Sequence, residues 1–418
     1  MRSGGKLSFI PHNFRDRRLV HHLLSGRFMM WLINGGVYKA IFVVIVLLGV
    51  MCASASGQAR QPDPVGEIYG GIEVSPEGVS VIALRVTRKT NGEQPDVKLV
   101  YSNVIRLALW RRSDGEFTPE ASALAAQAVS TALTRLRQQY RAQPDHIYLI
   151  GSGRLGSDHP ADLIPAIRDS TGLTLTFLDD LDEVQLRIAG AVPKVGRDGS
   201  VVIDSRNTSM LLHVGGMVAQ GGYELLKYSE SSGPVVDYVA MSVPQGAVSY
   251  ANEISQAVGR NSSLYTFLRQ VKISGTISFR QALRKEVERK PGLAHRKHVF
   301  LTGDVVWAIM TLLYPQDRRP FVPITYGAIT QFVEAIARSP QELVDRDLSF
   351  IRDKRLRKNV EQEFEAISST YTPQQLIAGA DILNAAAQEL KWQEKKIMFA
   401  RFGHLGCILS YVRLQAGK

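Results

Sequence analysis

Residues 199–216 read GSVVIDSRNTSMLLHVGG. The apolar, β-branched run Val201-Val202-Ile203 and the run Met210-Leu211-Leu212-His213-Val214 are two short strands, with Asp204-Ser205-Arg206-Asn207-Thr208-Ser209 as the bend between them. A carboxylate at the end of a buried strand, followed by hydroxyls and backbone N–H groups in a tight bend, is a place to hold a phosphate and its metal. The same residues also suit an ordinary hairpin turn built with Asn and Ser. A second hairpin of this kind near the front of the chain decides the fold. Ile68–Val74 and Val79–Val86 are strands joined at Ser75-Pro76-Glu77-Gly78, again with an acid, Glu73, just before the bend.

Outward from these hairpins, each half of the chain has a legible order. After the first come a strand at 97–105, a helix with Ala and Leu at helical spacing at 119–140 and a strand at 146–150. A helix at 160–170, a strand at 173–178 and a helix at 181–190 complete this half. After the central hairpin come a strand at 235–243, helical stretches over 247–270, and a buried strand at 298–301 that enters the apolar helix 305–313 through Thr302-Gly303-Asp304. Meandering strands followed by alternating helix and strand describe an α/β class. The predicted domains are 67–192 and 193–418, the second with a helical C-terminal part.

The first 55 residues read as a signal peptide with a long basic leader. Seven basic residues stand there against one acid, Asp16, and the apolar run Ile41–Met51 ends in the small residues Ala53-Ser54-Ala55. Residues 56–66 are a linker. Export to the periplasm follows, with an uncleaved helix anchored in the inner membrane as the alternative and the sole route to a membrane partner. The formal charge is +11, and removal of the leader leaves about +5, which suits an anionic ligand without requiring one. The two cysteines, Cys52 and Cys407, allow neither a disulfide within the mature chain nor a cysteine metal site.

Two halves that each open on an acid-bearing hairpin resemble the actin, sugar-kinase and heat-shock-chaperone superfamily, in which two ribonuclease-H-like domains face a cleft. Within it the chain resembles the exopolyphosphatase and guanosine-pentaphosphate phosphohydrolase family, Ppx/GppA. Gly71-Ile72-Glu73-Val74-Ser75 is similar to the family's first phosphate loop, D-x-G-S-N-S, and Asp204–Leu212 to its second, D-I-G-G-G-S-T-E-L. Thr171-Gly172-Leu173 and Asp182–Leu186 resemble the T-G-L and E-E-A-R-L segments. Ser242–Val248 is similar to S-L-P-L-G-A-V, Leu301–Val305 to T-G-G-T, and Ala378–Leu383 to a late G-A-x-I-L helix.

The resemblance implies hydrolysis of a terminal phosphoanhydride, most simply of polyphosphate, with Mg²⁺ or Mn²⁺. Glu183 is the implied base with Asp182 beside it, although acids there also favour the first turn of a helix. Glu73 and Asp204 are the implied metal ligands, and Ser75, Ser205, Asn207, Thr208, Ser209, Thr302 and Gly303 the implied phosphate ligands. The departures are pointed. Ser75 replaces a glycine and Pro76 removes a backbone N–H. An ungapped match puts Arg206, Asn207 and Thr208 on three glycines and Leu211 on the family's acid, while a match two residues shorter keeps a polar turn. Asp304 adds a negative charge where a glycine N–H would meet phosphate.

The basic clusters at 280–298 and 352–358 suit either a polyanion or solvated helix faces. Aromatics interleaved for base stacking are missing, so no nucleic-acid partner is expected. His213 and His404 have no partner at metal-ligand spacing and read as core or surface residues. A homodimer is left open. Two functions therefore stand: an exported phosphohydrolase, or a catalytically degenerate relative that keeps the cleft to bind a ligand or partner at the envelope.

Overall fold

A computed structural model describes residues 66–88, 95–107, 118–155, 162–192, 208–229 and 233–417. The predicted signal peptide and all but the last residue of the linker lie outside them. So do the predicted strand Val201–Ile203 and the bend residues Asp204, Ser205, Arg206 and Asn207.

The first sheet is built from β1 (Glu67–Ser75), β2 (Gly78–Thr87), β3 (Asp96–Arg106), β4 (Ile147–Gly151) and β5 (Thr176–Phe177), in the order β3-β2-β1-β4-β5. β1 runs antiparallel to β2 and parallel to β4. Three helices accompany the sheet: α1 (Pro119–Gln138), α2 (Leu163–Thr171) and α3 (Asp180–Ala191). Thr118 caps α1 by accepting the Ala121 N–H at 3.1 Å, with Pro119 supplying a pre-set φ at the first turn. Asp179 does the same for α3, accepting the Asp182 N–H at 2.6 Å, and Asp180, Asp182 and Glu183 complement that helix's positive end.

The second sheet contains β6 (Ser209–Val214), β7 (Ala219–Ser229), β8 (Gly233–Val243), β9 (His298–Thr302), β10 (Phe321–Ile324) and β11 (Lys396–Ala400), ordered β10-β11-β9-β6-β7-β8. It repeats the first sheet: β6 is antiparallel to β7 and parallel to β9, and β11 is parallel to β9. This topology corrects the position of the second hairpin. Met210–Val214 is its first strand rather than its second, β7 is its second strand, and the bend is Gly215-Gly216-Met217-Val218. The sequence reading missed β7 because the first half of this strand, Ala-Gln-Gly-Gly, lacks a β-former.

Helices α4 (Ala247–Val258), α5 (Leu264–Ser274), α6 (Ile277–Arg289), α7 (Asp304–Leu313), α8 (Tyr326–Arg338), α9 (Lys354–Thr370) and α10 (Pro373–Glu389) surround the second sheet. One core joins Met210, Leu212 and Val214 to Val305, Ile309, Phe332 and Leu383. In the first half, Ile72, Val74 and Val81 pack on Val129, Leu133 and Leu136 of α1. The last helix, α11 (Gly406–Ala416), returns to the first sheet, where Ile408 and Val412 lie with Tyr69, Ile82 and Leu84. The predicted second domain, 193–418, thus includes a helix that packs on the first sheet.

Helix α3 stands between the two sheets. Its Val184, Ile188 and Ala191 pack with Leu211 and Phe300 of the second sheet. It also meets α11 so closely that a Cβ on Gly190 would lie 2.1 Å from the Gly406 carbonyl oxygen, which fixes glycine there. Side chains on α3 are therefore held in register with both hairpins.

Candidate functional site

The repeat in topology makes the two hairpins comparable residue by residue. Glu73 pairs with Ser80 across its hairpin and with Ile150 on the parallel neighbour. His213 holds the same place in the second sheet, opposite Gln220 and Thr302. Four residues form each bend, Ser75–Gly78 and Gly215–Val218. The position equivalent to Glu73 in the second sheet is an imidazole, His213; the acid expected as its counterpart, Asp204, lies outside the described residues.

Between the hairpins lies a cavity of about 10 Å³ lined by Glu73, Ser75, Glu77, Ser80, Val104, Arg187, His213, Asp304 and His404. That is about the room one water needs, so a chain of phosphates has no place in it. His213 and His404, far apart in sequence and read there as isolated, face the same space. Burial first, and then the charges of Arg106 and Arg187, push the His404 imidazole down to about 3, so it is neutral at ordinary pH. Arg106 of β3 stacks over the Trp307 ring of α7 at 3.5 Å, bringing the two halves together.

Arg187 organises the acids. It is 1% exposed, and its Nη2 donates to Glu183 Oε1 at 2.6 Å and lies 3.4 Å from Glu73 Oε1. Glu183, one helical turn before it and fully buried, also accepts from Ser152 Oγ at 2.7 Å. The implied base and one implied metal ligand are thus both paired with a single guanidinium. The sequence reading passed over Arg187. Its signal was a lone cation, four residues after Glu183, on the apolar face of α3.

Other predicted site residues fall in different places. Asp182 is adjacent to Glu183 on α3 and therefore rotated about 100° from it. It is exposed and lines a separate groove of about 800 Å³ with Gln185, Leu186, Tyr238, Tyr411 and Leu414. Ser75 is in the cavity wall, where its Oγ donates to the Gly78 carbonyl at 3.4 Å. Thr208 and Ser209 sit at the opposite end of β6, beside His298. Thr208 Oγ1 is 3.2 Å from His298 Nδ1, and Ser209 pairs with His298, four strand residues or roughly 13 Å from His213. They are removed from the cavity because the hairpin begins where the sequence reading ended it.

Thr302 pairs with His213 at the end of β9, and Gly303 follows it into α7. Thr302 is fully buried, and its Oγ1 has no hydrogen-bond partner among the described residues. Gly303 has φ +113°, and a Cβ there would lie 2.1 Å from the Val214 carbonyl oxygen, so glycine serves a close backbone approach. Asp304 follows, buried and lining the cavity.

The second bend also uses up a helix N-terminus, the usual anion-binding feature of such folds. The first N–H groups of α4 donate to the bend itself. Ala247 N bonds the Gly215 carbonyl at 3.1 Å, and Val248 and Ser249 N bond the Gly216 carbonyl at 2.7 and 3.1 Å.

A divalent cation does not fit these residues. Mg²⁺ takes near-octahedral oxygen ligands and keeps several waters. Among the described residues the cavity admits about one water, Glu73 is ion-paired with Arg187, and its counterpart in the second sheet is an imidazole; Glu77 and Asp304 also line the cavity, and Asp204 lies outside the described residues. No group of three or more His, Cys, Asp or Glu among the described residues could hold a metal.

The fold is that of the actin-like ATPases, in the arrangement of the Ppx/GppA proteins. The chain superposes on the Aquifex aeolicus member of the Ppx/GppA family with a TM-score of 0.52 at 12% identity, covering 84% of this chain and 99% of the other. For an Aquifex aeolicus PPX-GPPA enzyme the figures are 0.51 and 14%, over 81% and 99%. For an exopolyphosphatase-like protein they are 0.54 and 12%, over 83% and 99%. At such identities the likeness is one of fold. No protein-family model and no curated protein matches the sequence.

Proposed function

We propose that the chain is a catalytically silent protein of Ppx/GppA descent, exported to the cell envelope, where it serves in binding and interaction rather than phosphoanhydride hydrolysis. The observation that carries this reading is Arg187, buried between Glu183 and Glu73 at 2.6 and 3.4 Å. A general base must reach water, and a metal ligand must offer its charge to the metal. Both carboxylates are instead committed to one cation. The consumed N-terminus of α4 and the one-water cavity support the same reading.

The hydrolase reading draws on Glu73, which lines the cavity, on Glu183, which shares Arg187 with it, and on the shared fold with a protein described as exopolyphosphatase-like. Phosphate release from long-chain polyphosphate by residues 66–418 with Mg²⁺ or Mn²⁺ separates the two. The silent protein releases no phosphate above a control without protein. Release that Glu183→Gln abolishes restores the hydrolase and its base.

A further inference from the structure

Helices α5 and α6 present a surface that the cleft does not use. α5 buries Phe267 and Val271, and its other side carries Tyr265, 77% exposed, and Ile273, 63% exposed. Ile277, 57% exposed, follows across the short turn into α6. Single exposed apolar side chains are ordinary, but three large ones within thirteen residues are not.

Cations frame them. Arg269 and Lys272 on α5 and Arg284, Lys285 and Arg289 on α6 are exposed, against the one exposed acid of these two helices, Glu288. Arg280 and Arg284 share Glu389, and Arg289 and Lys290 share Glu286. Arg269, Lys272 and Lys285 form no ion pair with a described residue. The basic run at 280–298 that the sequence reading left between polyanion site and solvated face thus separates into compensated and uncompensated parts. The uncompensated part lies close to the exposed hydrocarbon along the chain, Lys272 beside Ile273 and Lys285 about two helical turns after Ile277.

A soluble polyanion would meet the cations but leave Tyr265, Ile273 and Ile277 in water. A second copy of this face would bring like charges together. An anionic bilayer offers phosphates and hydrocarbon in one surface, the combination read by interfacial helices with basic and apolar residues.

We propose that the α5–α6 surface docks on an anionic lipid bilayer, with Tyr265, Ile273 and Ile277 entering the headgroup region and Arg269, Lys272 and Lys285 meeting lipid phosphates. The site is independent of the cleft and of whether the cleft is catalytic.

The test is co-sedimentation of residues 66–418, one compact unit, with vesicles of phosphatidylcholine alone or with about a third phosphatidylglycerol. Binding to the anionic vesicles at least about tenfold tighter than to neutral ones is expected, weakening as salt is raised. The pairs Ile273→Ser/Ile277→Ser and Lys272→Glu/Lys285→Glu each reduce it about tenfold, with the melting temperature unchanged because all four residues are exposed. Equal or absent binding to both vesicle types overturns the proposal, as does binding that the variants leave intact. Capture of soluble polyphosphate that is insensitive to the isoleucine pair, with no preference for anionic vesicles, reassigns the patch to a free anion. A concentration-dependent dimer abolished by Ile273→Ser/Ile277→Ser reassigns it to self-association.

Discussion

The two hairpin bends differ in what each has given up. The first keeps an acid before the bend, Glu73, but builds the bend from Ser75, Pro76, Glu77 and Gly78, with one backbone N–H missing. The second keeps consecutive glycines, Gly215 and Gly216, but has His213 in the acid's place and turns its carbonyls onto α4. Among the described residues, then, the acid and the glycine-rich bend fall in different halves. The carboxylates of Glu73, Glu77 and Asp304 line the cavity together with the guanidinium of Arg187 from α3.

The largest effect is expected from breaking the first half of that comparison. Arg187→Met leaves Glu73 and Glu183 buried without their shared cation and is expected to cost about 3–5 kcal/mol in chemical denaturation. The triple variant with Glu73→Gln and Glu183→Gln recovers a large part of this, since the uncompensated charges are gone. If Arg187→Met costs under about 1 kcal/mol, pairing with the guanidinium is not what stabilises the acids.

A smaller effect sharpens the second half. His404 lines the cavity together with His213, and its pKa of about 3 lies below the ordinary 6.5. The unfolded chain therefore binds the extra proton first, so the stability contributed by neutral His404 is full above about pH 6.5 and is lost as pH falls toward 3. The slope is at most about 1.4 kcal/mol per pH unit. Thermal unfolding across this range should show a shallower acid slope in His404→Gln than in the parent. Parallel curves would place His404 in contact with water.

The smallest effect concerns Thr302, opposite His213 on the parallel strand. Its buried hydroxyl has no partner among the described residues, so Thr302→Val should be neutral or stabilising by up to about 1 kcal/mol. A loss of more than about 1 kcal/mol, or of polyphosphate binding, would instead give the hydroxyl a task.

The first sheet was legible because Glu67–Ser75 and Gly78–Thr87 are long, β-branched runs around an obvious Ser-Pro-Glu-Gly bend. The second hairpin was displaced by one strand for a physical reason. β6 is buried at every position, so Met210–Val214 carries no alternation to mark it as a central strand, and β7 opens on Gln-Gly-Gly. The polar stretch at 204–209 then drew the bend to itself. Of the site, Glu73, Ser75 and Glu183 were legible from the resemblance, and Asp304 as a misplaced charge. Arg187, His213 and His404 were not, because their roles arise from pairings such as Arg187 with Glu73, 114 residues apart, which only the fold creates.

The central claim is that this cleft holds a guanidinium where a hydrolase of this fold needs a metal. Titration of Mn²⁺ into residues 66–418, followed by electron paramagnetic resonance of the free ion, tests it most directly. The account predicts no stoichiometric binding up to about millimolar Mn²⁺, the range of weak carboxylate sites. One tightly bound Mn²⁺ that disappears in Glu73→Gln would contradict it.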